Sequence, residues 1–331
     1  MFIVKNDNTD AAFNLALEET LLREYAEDDV FMLWQNRRAV IVGKNQNTVE
    51  EIDREYAEEN GIQVVRRLTG GGAVYHDLGN LNFTFIKRNA AGHFLDFDLF
   101  NKPVIELLAE SGVAGVTSQR NDILAGGRKI SGGAQTVYRG AVLHHGTLMF
   151  NVDVGVLERV LKPHPLKIKS KAVRSVASRV DNLSRLAAVD IPAFREKAER
   201  RIAEGAGGAK TLDASRGAAY DGAMALKAEK YDTFEWNYGF SPDYEYRASA
   251  YGEAGLVEVW MKVGGGRIGG VKFRGDFTGL EPVSGLEHAL AGASLTPASL
   301  RETLAGIDLS RYIARLSADA LAALLTGRFL K

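Results

Sequence analysis

Hydrophobic residues recur along the chain with two spacings, and each spacing predicts a different kind of element. Apolar residues at helical spacing predict helices over residues 11–22, 52–60, 98–111, 154–161 and 191–203. The first helix follows Asp10, a residue type that caps helix N-termini. Short apolar or alternating runs predict strands over residues 31–34, 39–43, 62–65, 73–75, 123–125 and 141–151. The fold is therefore expected to combine helices and strands.

The pattern changes near residue 243. Three strand-like runs at 244–250, 256–263 and 267–273 are followed by helical patterns at 282–290, 297–304 and 318–325, which together make a self-sufficient α+β unit. We therefore predict a large domain over residues 1–243 and a small C-terminal domain over residues 244–331. Residues 204–218 are rich in glycine, alanine, serine and charge, so a flexible insertion is expected there.

Composition narrows the class of protein. The 331 residues are 46% hydrophobic, enough for a large core. Lys and Arg number 41 against 42 Asp and Glu, so the chain lacks the surplus of cations that a general nucleic-acid binder needs. No cysteine is present, which excludes a cysteine nucleophile and a thiolate zinc site. Since no signal peptide or membrane-length apolar run is visible, we expect a soluble, cytoplasmic monomer without nucleic-acid or membrane partners.

Three glycines, Gly70-Gly71-Gly72, interrupt the strand pattern directly after Arg66 and Arg67. Consecutive glycines permit positive φ and let successive N–H groups point at one anion. Neighbouring strand residues face opposite sides, so one of the two arginines can reach a phosphate or carboxylate. A plain hairpin turn with both arginines in solvent explains the same residues, and neither of the best-known nucleotide-loop motifs is present.

Two further segments carry a resemblance to a known family. The run R-R-x-T-G-G-G-A-V-Y-H-D-x-G-N-x-N-F-T over residues 66–84 is followed by N-D-I at 121–123 and G-R-K-I-S-G at 127–132. Together these motifs resemble the lipoate-protein ligase family. A G-x-x-Q-N element at 43–47, which an ordinary polar loop explains equally well, and S-V-x-S-R-V-x-N-L at 175–183 also resemble that family.

The resemblance implies a fold and a reaction. The fold is α+β, biotin/lipoate ligase-like and class II synthetase-like, with a mixed sheet flanked by helices and a small C-terminal α+β accessory domain. In the reaction, lipoate attacks ATP to form lipoyl-AMP and pyrophosphate, and a lysine of an acceptor protein then takes the lipoyl group. The implied cofactors are ATP and Mg²⁺. The implied acceptors are lipoyl domains, such as those of 2-oxoacid dehydrogenase E2 subunits, and the glycine cleavage H protein.

The same resemblance assigns candidate site residues. Lys129 is the expected catalytic residue, although a lone lysine in a strand is more often on the surface. Asp122 is the candidate Mg²⁺ ligand, with the ribose or amino group of the adenylate as alternative partners. The residues expected to bind ATP and lipoyl-AMP are Arg67, Gly72, Ala73, Val74, Tyr75, Asp122 and Lys129. Those expected to bind lipoate are Gly71, His76 and Lys129.

Other residues near these motifs also have expected roles. The glycine pairs at 126–127 and 132–133 are expected to let the backbone around Lys129 adjust. Of the neighbours His144 and His145, one is expected to pack in the sheet, because adjacent strand residues face opposite sides. Residues expected to line an acyl tunnel are Val40, Val42 and Val74. The basic run 162–171 is a docking surface for an acidic partner, a segment that encloses pyrophosphate or, as we favour, a solvated loop.

Three rival functions remain. An octanoyl or lipoyl transferase acting without ATP shares the fold, but some such enzymes use a cysteine and they generally lack the small domain. A biotin ligase is disfavoured, because R-R-L-T-G-G-G stands where its G-R-G-R-x-G-R-type loop is expected. A non-catalytic lipoate-binding protein has no need of Lys129. Release of pyrophosphate from ATP in the presence of free lipoate separates all three from a ligase.

Overall fold

The computed structural model describes residues 1–25, 28–161, 180–241, 244–277 and 279–327. The chain forms two compact units, residues 1–46 with 61–233 and residues 47–60 with 234–331. Residues 47–60, which the sequence pattern left in the large domain, join the second unit because Val49 packs in its core. The predicted boundary after residue 243 lies at residues outside the described ranges and stays a prediction.

The elements are numbered in chain order over the described residues. The strands are β1 (Phe2–Lys5), β2 (Val30–Trp34), β3 (Ala39–Val42), β4 (Gln63–Arg66), β5 (Val74–His76), β6 (Asn80–Lys87), β7 (Val116–Gln119), β8 (Asp122–Ala125), β9 (Arg128–Tyr138), β10 (Ala141–Met149), β11 (Lys210–Asp213), β12 (Tyr244–Gly252), β13 (Gly255–Gly264) and β14 (Arg267–Gly275). The helices are α1 (Ala11–Glu24), α2 (Thr48–Glu51), α3 (Arg54–Glu59), α4 (Phe97–Glu110), α5 (Val154–Val160), α6 (Ile191–Gly205), α7 (Ala218–Leu226), α8 (Ser284–Leu290), α9 (Pro297–Ala305) and α10 (Ala318–Thr326). None of these helices is both long and apolar enough to cross a membrane.

An eight-stranded mixed sheet forms the centre of the first unit, in the order β11-β1-β2-β6-β10-β9-β8-β7. Strand β1 is parallel to both its neighbours, whereas β6, β10, β9 and β8 follow one another antiparallel. Helices α4 and α6 pack their apolar side chains on this sheet, where Leu107 and Phe194 meet Phe83 in one core. The predicted meander through residues 122–149 is confirmed, and it carries Lys129 on its middle strand.

A second, three-stranded sheet of the first unit has the order β4-β3-β5. Strand β3 is parallel to β4 and antiparallel to β5. The glycine-rich loop therefore passes from one side of β3 to the other, over its end, instead of closing a hairpin between paired strands. This arrangement rules out the plain hairpin interpretation of the three glycines.

One prediction about local structure was confirmed and one was wrong. The helix expected over residues 52–60 is present as α3, whose N-terminus the Asp53 side chain caps, while the short α2, capped by Asn47, precedes it. The flexible insertion expected over residues 204–218 contains β11, which pairs with β1 from Phe2 opposite Lys210 to Lys5 opposite Asp213. The short polar run of this strand gives little local signal, and its pairing with a distant edge strand determines its structure.

The second unit contains a three-stranded antiparallel sheet, β12-β13-β14, and helices that share its core. Val259 and Phe273 of the sheet pack with Leu286 and Leu300 of the helices. The Thr296 side chain accepts a hydrogen bond from the backbone N–H of Ser299, so the expected cap of α9 is present. The order of three strands and then three helices is the one that the sequence predicted.

Candidate active site

A cavity of about 150 Å³ lies in the first unit, between the glycine-rich loop and the central sheet. Its walls come from α1, from β3 and the loop after β4, and from β6, β9 and β10. The lining residues are Leu15, Trp34, Ile41, Arg67, Gly71, Gly72, Ala73, Val74, His76, Asn82, Asn121, Lys129, Gly132, Gly133, Ala134, His145, Gly146 and Thr147. Seven of the predicted site residues are in this list, although up to 62 positions separate them in the sequence.

Some expected residues do not line the cavity. Strand alternation turns the Tyr75 side chain away from the cavity, since its neighbours Val74 and His76 both line it. Ile41 lines the cavity in place of Val40 and Val42, for the same reason. Of the three residues expected to line an acyl tunnel, Val74 lines this cavity and Val40 and Val42 do not.

Backbone N–H groups differ in their availability along the loop. Val74 and Tyr75 belong to β5, which pairs with β3, so part of their hydrogen-bonding capacity serves the sheet. Gly71, Gly72 and Ala73 lie outside the strands and line the cavity. Gly71 has φ 96°, a conformation that favours glycine. The three residues are therefore the better candidates for binding an anion through the backbone.

Lys129 lines the cavity and contacts Asp122, which is not itself one of the lining residues. Its Nζ is 2.8 Å from Oδ1 of Asp122, and both side chains are about one-third exposed. A shift in the pairing of β8 with β9 places Gly132 opposite Asp122. A Cβ at position 132 would lie 2.8 Å from Nζ of Lys129, so the missing side chain makes room for the ammonium group.

The two glycine pairs around Lys129 differ from each other. Gly126 and Gly127 form the β8–β9 turn at positive φ, 55° and 77°. Gly132 and Gly133 are instead held in the middle of paired strand β9. In the fold this second pair leaves space for Lys129 and His144, and the expectation that it lets the backbone adjust stays a prediction.

Arg67 is buried and braces the loop from inside. It donates from Nε to Thr69 Oγ1 at 2.9 Å, from Nη1 to the Ile41 carbonyl at 3.2 Å and from Nη2 to the Gly70 carbonyl at 2.5 Å. These bonds take three of the five guanidinium N–H groups, which leaves donors for the cavity. Burial lowers the pKa of Arg67 to about 10, against the opposing effect of Glu18, so the group stays cationic at neutral pH.

Arg66 faces the other side and is also buried. Its Nη1 donates to the carbonyls of Gly43, Lys44 and Gln46 at 3.0, 2.9 and 2.7 Å. The G-x-x-Q-N segment is thus a turn wrapped around a guanidinium group, and the interpretation with solvated arginines fails for both residues. Burial lowers the pKa of Arg66 to about 10 as well.

A buried carboxylate under the cavity was missed by the sequence analysis. Glu18 of α1 accepts from Thr84 Oγ1 at 2.5 Å and lies 3.0 Å from Nδ1 of His145 through each of its oxygens. His145 Nε2 is 2.8 Å from Thr69 Oγ1, the atom that also accepts from Arg67. A chain of contacts therefore runs from Glu18 to the glycine-rich loop. The available signal was an acidic residue among the apolar positions of a helix.

The neighbours His144 and His145 face opposite sides of β10. His144 stacks on Phe100 with ring centroids 5.0 Å apart and lies against Phe83, while Gln135 contacts its Nδ1 at 3.0 Å. Burial, and then the nearby His145, lower the pKa of His144 to about 3, so it is a neutral packing residue. His145 is the one that lines the cavity.

His76 is a neutral imidazole in the cavity wall. Burial lowers its pKa to about 3, with smaller contributions from Arg67 and His145. Its Nδ1 lies 3.1 Å from Nδ2 of Asn36. Across the described part of the chain no cluster of three or more His, Asp or Glu side chains could hold a metal ion by itself.

Part of the expected site lies outside the described residues. This applies to the basic run 162–171 and to residues 175–179 of the S-V-x-S-R-V-x-N-L element. The end of that element is described and lies beside Lys129. There the Asp181 N–H donates to the Lys129 carbonyl at 2.9 Å, and the Asp181 carboxylate lies 3.2 Å from Nε of Arg128.

Known proteins match the chain along almost its whole length. Residues 10–203 match the family described as Lipoyl protein ligase A/B catalytic domain, and residues 241–325 match the one described as Bacterial lipoate protein ligase C-terminus. The chain is 37% identical to Lipoate–protein ligase 1 of Staphylococcus aureus (strain Mu50) over 328 residues, which cover 98% of this chain and 99% of that protein.

Two solved structures are also similar. A bi-partite lipoate protein ligase from Thermoplasma acidophilum, described with its E2 lipoyl domain, has a TM-score of 0.64 and 30% identity, covering 72% of this chain and 96% of its own. A lipoate-protein ligase A bound with ATP has a TM-score of 0.61 and 29% identity, covering 72% of this chain and 98% of its own. The expected ligase-like fold, a mixed sheet flanked by helices with a small C-terminal α+β unit, is confirmed.

Proposed function

The chain belongs to the lipoate-protein ligase family, and on this basis we propose that it activates lipoate with ATP and transfers the lipoyl group to an acceptor protein. A carboxylate oxygen of lipoate attacks the α-phosphorus of ATP, and the bond to the departing pyrophosphate breaks. The lysine amine of the acceptor then attacks the acyl carbon, loses a proton and releases AMP. Both steps gather negative charge at one acyl-phosphate group.

The observation that carries this proposal is the shared cavity of Lys129 and the glycine-rich loop. Preorganised positive groups at the place where charge develops usually supply the largest catalytic term. We assign Lys129 as the catalytic residue, with its ammonium group on the carboxylate and the α-phosphate. Gly72, Ala73, Val74 and Tyr75 bind the phosphate through the backbone in this proposal, with Gly72 and Ala73 the more available of the four.

Arg67 supplies a second positive charge to the cavity, next to the glycine-rich loop. Its guanidinium group is held by the loop it braces, so it provides a fixed cation with little reorganisation during the reaction. Lys129 differs, because its flexible stem and its partly exposed ion pair with Asp122 allow it to move. In this proposal Arg67 is thus the fixed positive charge and Lys129 the mobile one.

The rest of the cavity suits an aliphatic acid. Leu15, Trp34, Ile41 and Val74 provide apolar walls, while Gly71 and His76 are the further residues that we assign to lipoate. Binding sites for small ligands commonly combine such walls with a few well-placed polar groups.

We assign Mg²⁺ to Asp122. Mg²⁺ usually keeps several waters and binds through substrate phosphates and one or two carboxylates, so one carboxylate at this position fits that chemistry. Bound there, the ion would neutralise phosphate charge during attack. Asp122 itself holds the ammonium group of Lys129 beside the cavity, which is the contribution of this chain to the arrangement.

The acceptors we propose are lipoyl domains of 2-oxoacid dehydrogenase E2 subunits and the glycine cleavage H protein. The similar ligase from Thermoplasma acidophilum is described together with its E2 lipoyl domain, which supports a partner of this kind. We further propose that the chain acts as a monomer in the cytoplasm, where ATP and newly made acceptors are both available.

The test is incubation of the protein with ATP, Mg²⁺, lipoic acid and a purified lipoyl domain, followed by intact mass of the acceptor. One lipoyl group should be added, and pyrophosphate should be released only when lipoate is present. A parallel sample with octanoyl-carrier protein and no ATP tests the transferase alternative. Acceptor modified in that sample but not in the first would overturn the ligase proposal.

A further inference from the structure

His76 has one ring nitrogen with a protein partner and one without. Nδ1 contacts Asn36, whereas Nε2 is buried and has no hydrogen-bond partner among the described residues. The side chain is 3% exposed and belongs to the cavity wall. A buried polar atom normally finds a partner, so a lone one beside a cavity points to a ligand atom.

A chain of buried asparagines determines which nitrogen of His76 carries the proton. Nδ2 of Asn14 donates to the backbone carbonyls of Asn8 and Gln35 at 3.0 and 2.9 Å, and carbonyls accept only, so this end of the amide must be nitrogen. The same nitrogen lies 2.8 Å from Asn36, which must therefore present its oxygen to Asn14.

The amide nitrogen of Asn36 then faces His76 and donates to Nδ1. Asn6 supports the arrangement from the far end by donating to Oδ1 of Asn14 at 2.8 Å. A neutral imidazole has one donor and one acceptor nitrogen, so acceptance at Nδ1 puts the proton on Nε2. The unpartnered Nε2, on a side chain that lines the cavity, is thus an N–H donor.

We propose that Asn36, held by Asn14 and Asn6, fixes His76 as the Nε2–H tautomer, and that this N–H donates to an acceptor atom of bound lipoate. Asn36 is then a positioning residue. The proposal rests on the proposed function, because it assumes that lipoate occupies this cavity. The acceptor is a carboxylate oxygen or a dithiolane sulfur, and octanoate, which has the carboxylate alone, distinguishes the two.

Asn36→Asp reverses the tautomer with little change of shape. An aspartate accepts from both Asn14 and His76, so Nδ1 must carry the proton and the neutral ring presents a lone pair to the cavity. Only the protonated ring of the variant still offers Nε2–H. The charged or titratable groups that act on His76 are Arg67 and His145, and both disfavour that protonation.

The experiment measures lipoate binding by calorimetry without ATP at about pH 6 and pH 9. Asn36→Asp should bind roughly 10- to 100-fold more weakly than the unmodified protein at the higher pH, and recover in part at the lower pH. The control Asn60→Asp makes the same change at an exposed position and should bind lipoate normally. Equal affinity of Asn36→Asp and the unmodified protein at both pH values would refute the proposal.

A second measurement is independent of lipoate. Long-range ¹⁵N–¹H spectra of the histidine rings, with His76 assigned by its loss in His76→Phe, report the tautomer directly. The unmodified protein should show Nε2–H at His76, and Nδ1–H there would overturn the inference even if the enzyme is active. Absence of lipoate activation in the unmodified protein would instead overturn the proposed function and leave the tautomer result standing.

If Asn36→Asp does not fold, two substitutions of His76 take its place. Gln places an amide N–H near the position of Nε2, whereas Phe keeps the ring and removes the donor. His76→Gln should bind lipoate more tightly than His76→Phe, by roughly tenfold or more. Equal affinities would refute the donor. If octanoate shows the same difference, the carboxylate is the acceptor, and if only lipoate does, the dithiolane is.

Discussion

Nδ1 of His145 lies 3.0 Å from both carboxylate oxygens of Glu18, and this contact joins the first helix to the sheet beneath the cavity. Glu18 also supplies the negative charge that favours the cationic form of buried Arg67. The Glu18 carboxylate thus interacts with two groups next to the glycine-rich loop, the imidazole of His145 and the guanidinium of Arg67. Its removal should therefore lower the free energy of unfolding and, through these two residues, disturb the loop.

Glu18→Gln should lower the free energy of unfolding by roughly 2 kcal/mol, because hydrogen bonds to a charged group are lost and Arg67 stays buried without its counter-charge. The urea midpoint, measured at neutral pH, tests this. Glu24→Gln is the matched control, since it makes the same change at the exposed end of the same helix and should leave the midpoint nearly unchanged. Equal midpoints for the two variants would show that the carboxylate is not needed.

Lys129→Ala should reduce lipoate-dependent exchange between ATP and pyrophosphate by on the order of a hundredfold to a thousandfold, as loss of one preorganised donor does elsewhere. Circular dichroism should be unchanged, because the side chain is partly exposed. Lys102→Ala, at an exposed position of α4, should retain normal exchange. A folded Lys129→Ala protein with full exchange would remove this residue from the mechanism.

Gly132→Ala tests the space beside Lys129 without changing the lysine. The added Cβ would lie 2.8 Å from its Nζ, and the flexible lysine should move away while the strand stays folded. A displacement of about 1 Å can cost on the order of a hundredfold in rate, so exchange should fall strongly with little change in melting temperature. Gly270→Ala, a strand position with open space around it, is the control. Normal exchange in Gly132→Ala would show that the position of the ammonium group is not critical.

Stability should fall as the pH drops below about 6.5, partly because of His144. Its pKa is about 3 in the folded protein against 6.5 in the unfolded chain, so the unfolded state binds protons first between these values. The contribution is complete above pH 6.5 and decreases by at most about 1.4 kcal/mol per pH unit as the pH falls toward 3. His144→Phe should show a shallower loss of stability in denaturant titrations from pH 7 to pH 5. The same slope in both proteins would contradict the buried neutral imidazole.

Much of the fold and part of the site could be predicted from the sequence. The caps at Asp10 and Thr296, the meander through Lys129 and the strand–helix order of the second unit all depend on local patterns that single residues carry. The glycine-rich motif led to a cavity that holds Lys129 as well. Each of these features is determined by residues that lie close together in the sequence.

The missed features depend on distant residues. Glu18 and His145 are 127 positions apart, and neither has a local pattern that indicates the other. Strand β11 exists because β1 lies beside it, and the place of residues 47–60 depends on Val49 in the core of the second unit. The shift in pairing between β8 and β9, which places Gly132 opposite Asp122 and so determines the surroundings of Lys129, is another such feature. Periodicity does not contain information of this kind.

The pairing of β11 with β1 has a consequence for synthesis of the protein. The outer edge of the first strand finds its partner only after the ribosome has made residues 210–213. Until then a nascent or truncated chain exposes a row of unpaired backbone groups, which is a template for pairing with other chains. Fragments that end before residue 210 should therefore self-associate, whereas fragments that extend through residue 214 should stay dispersed.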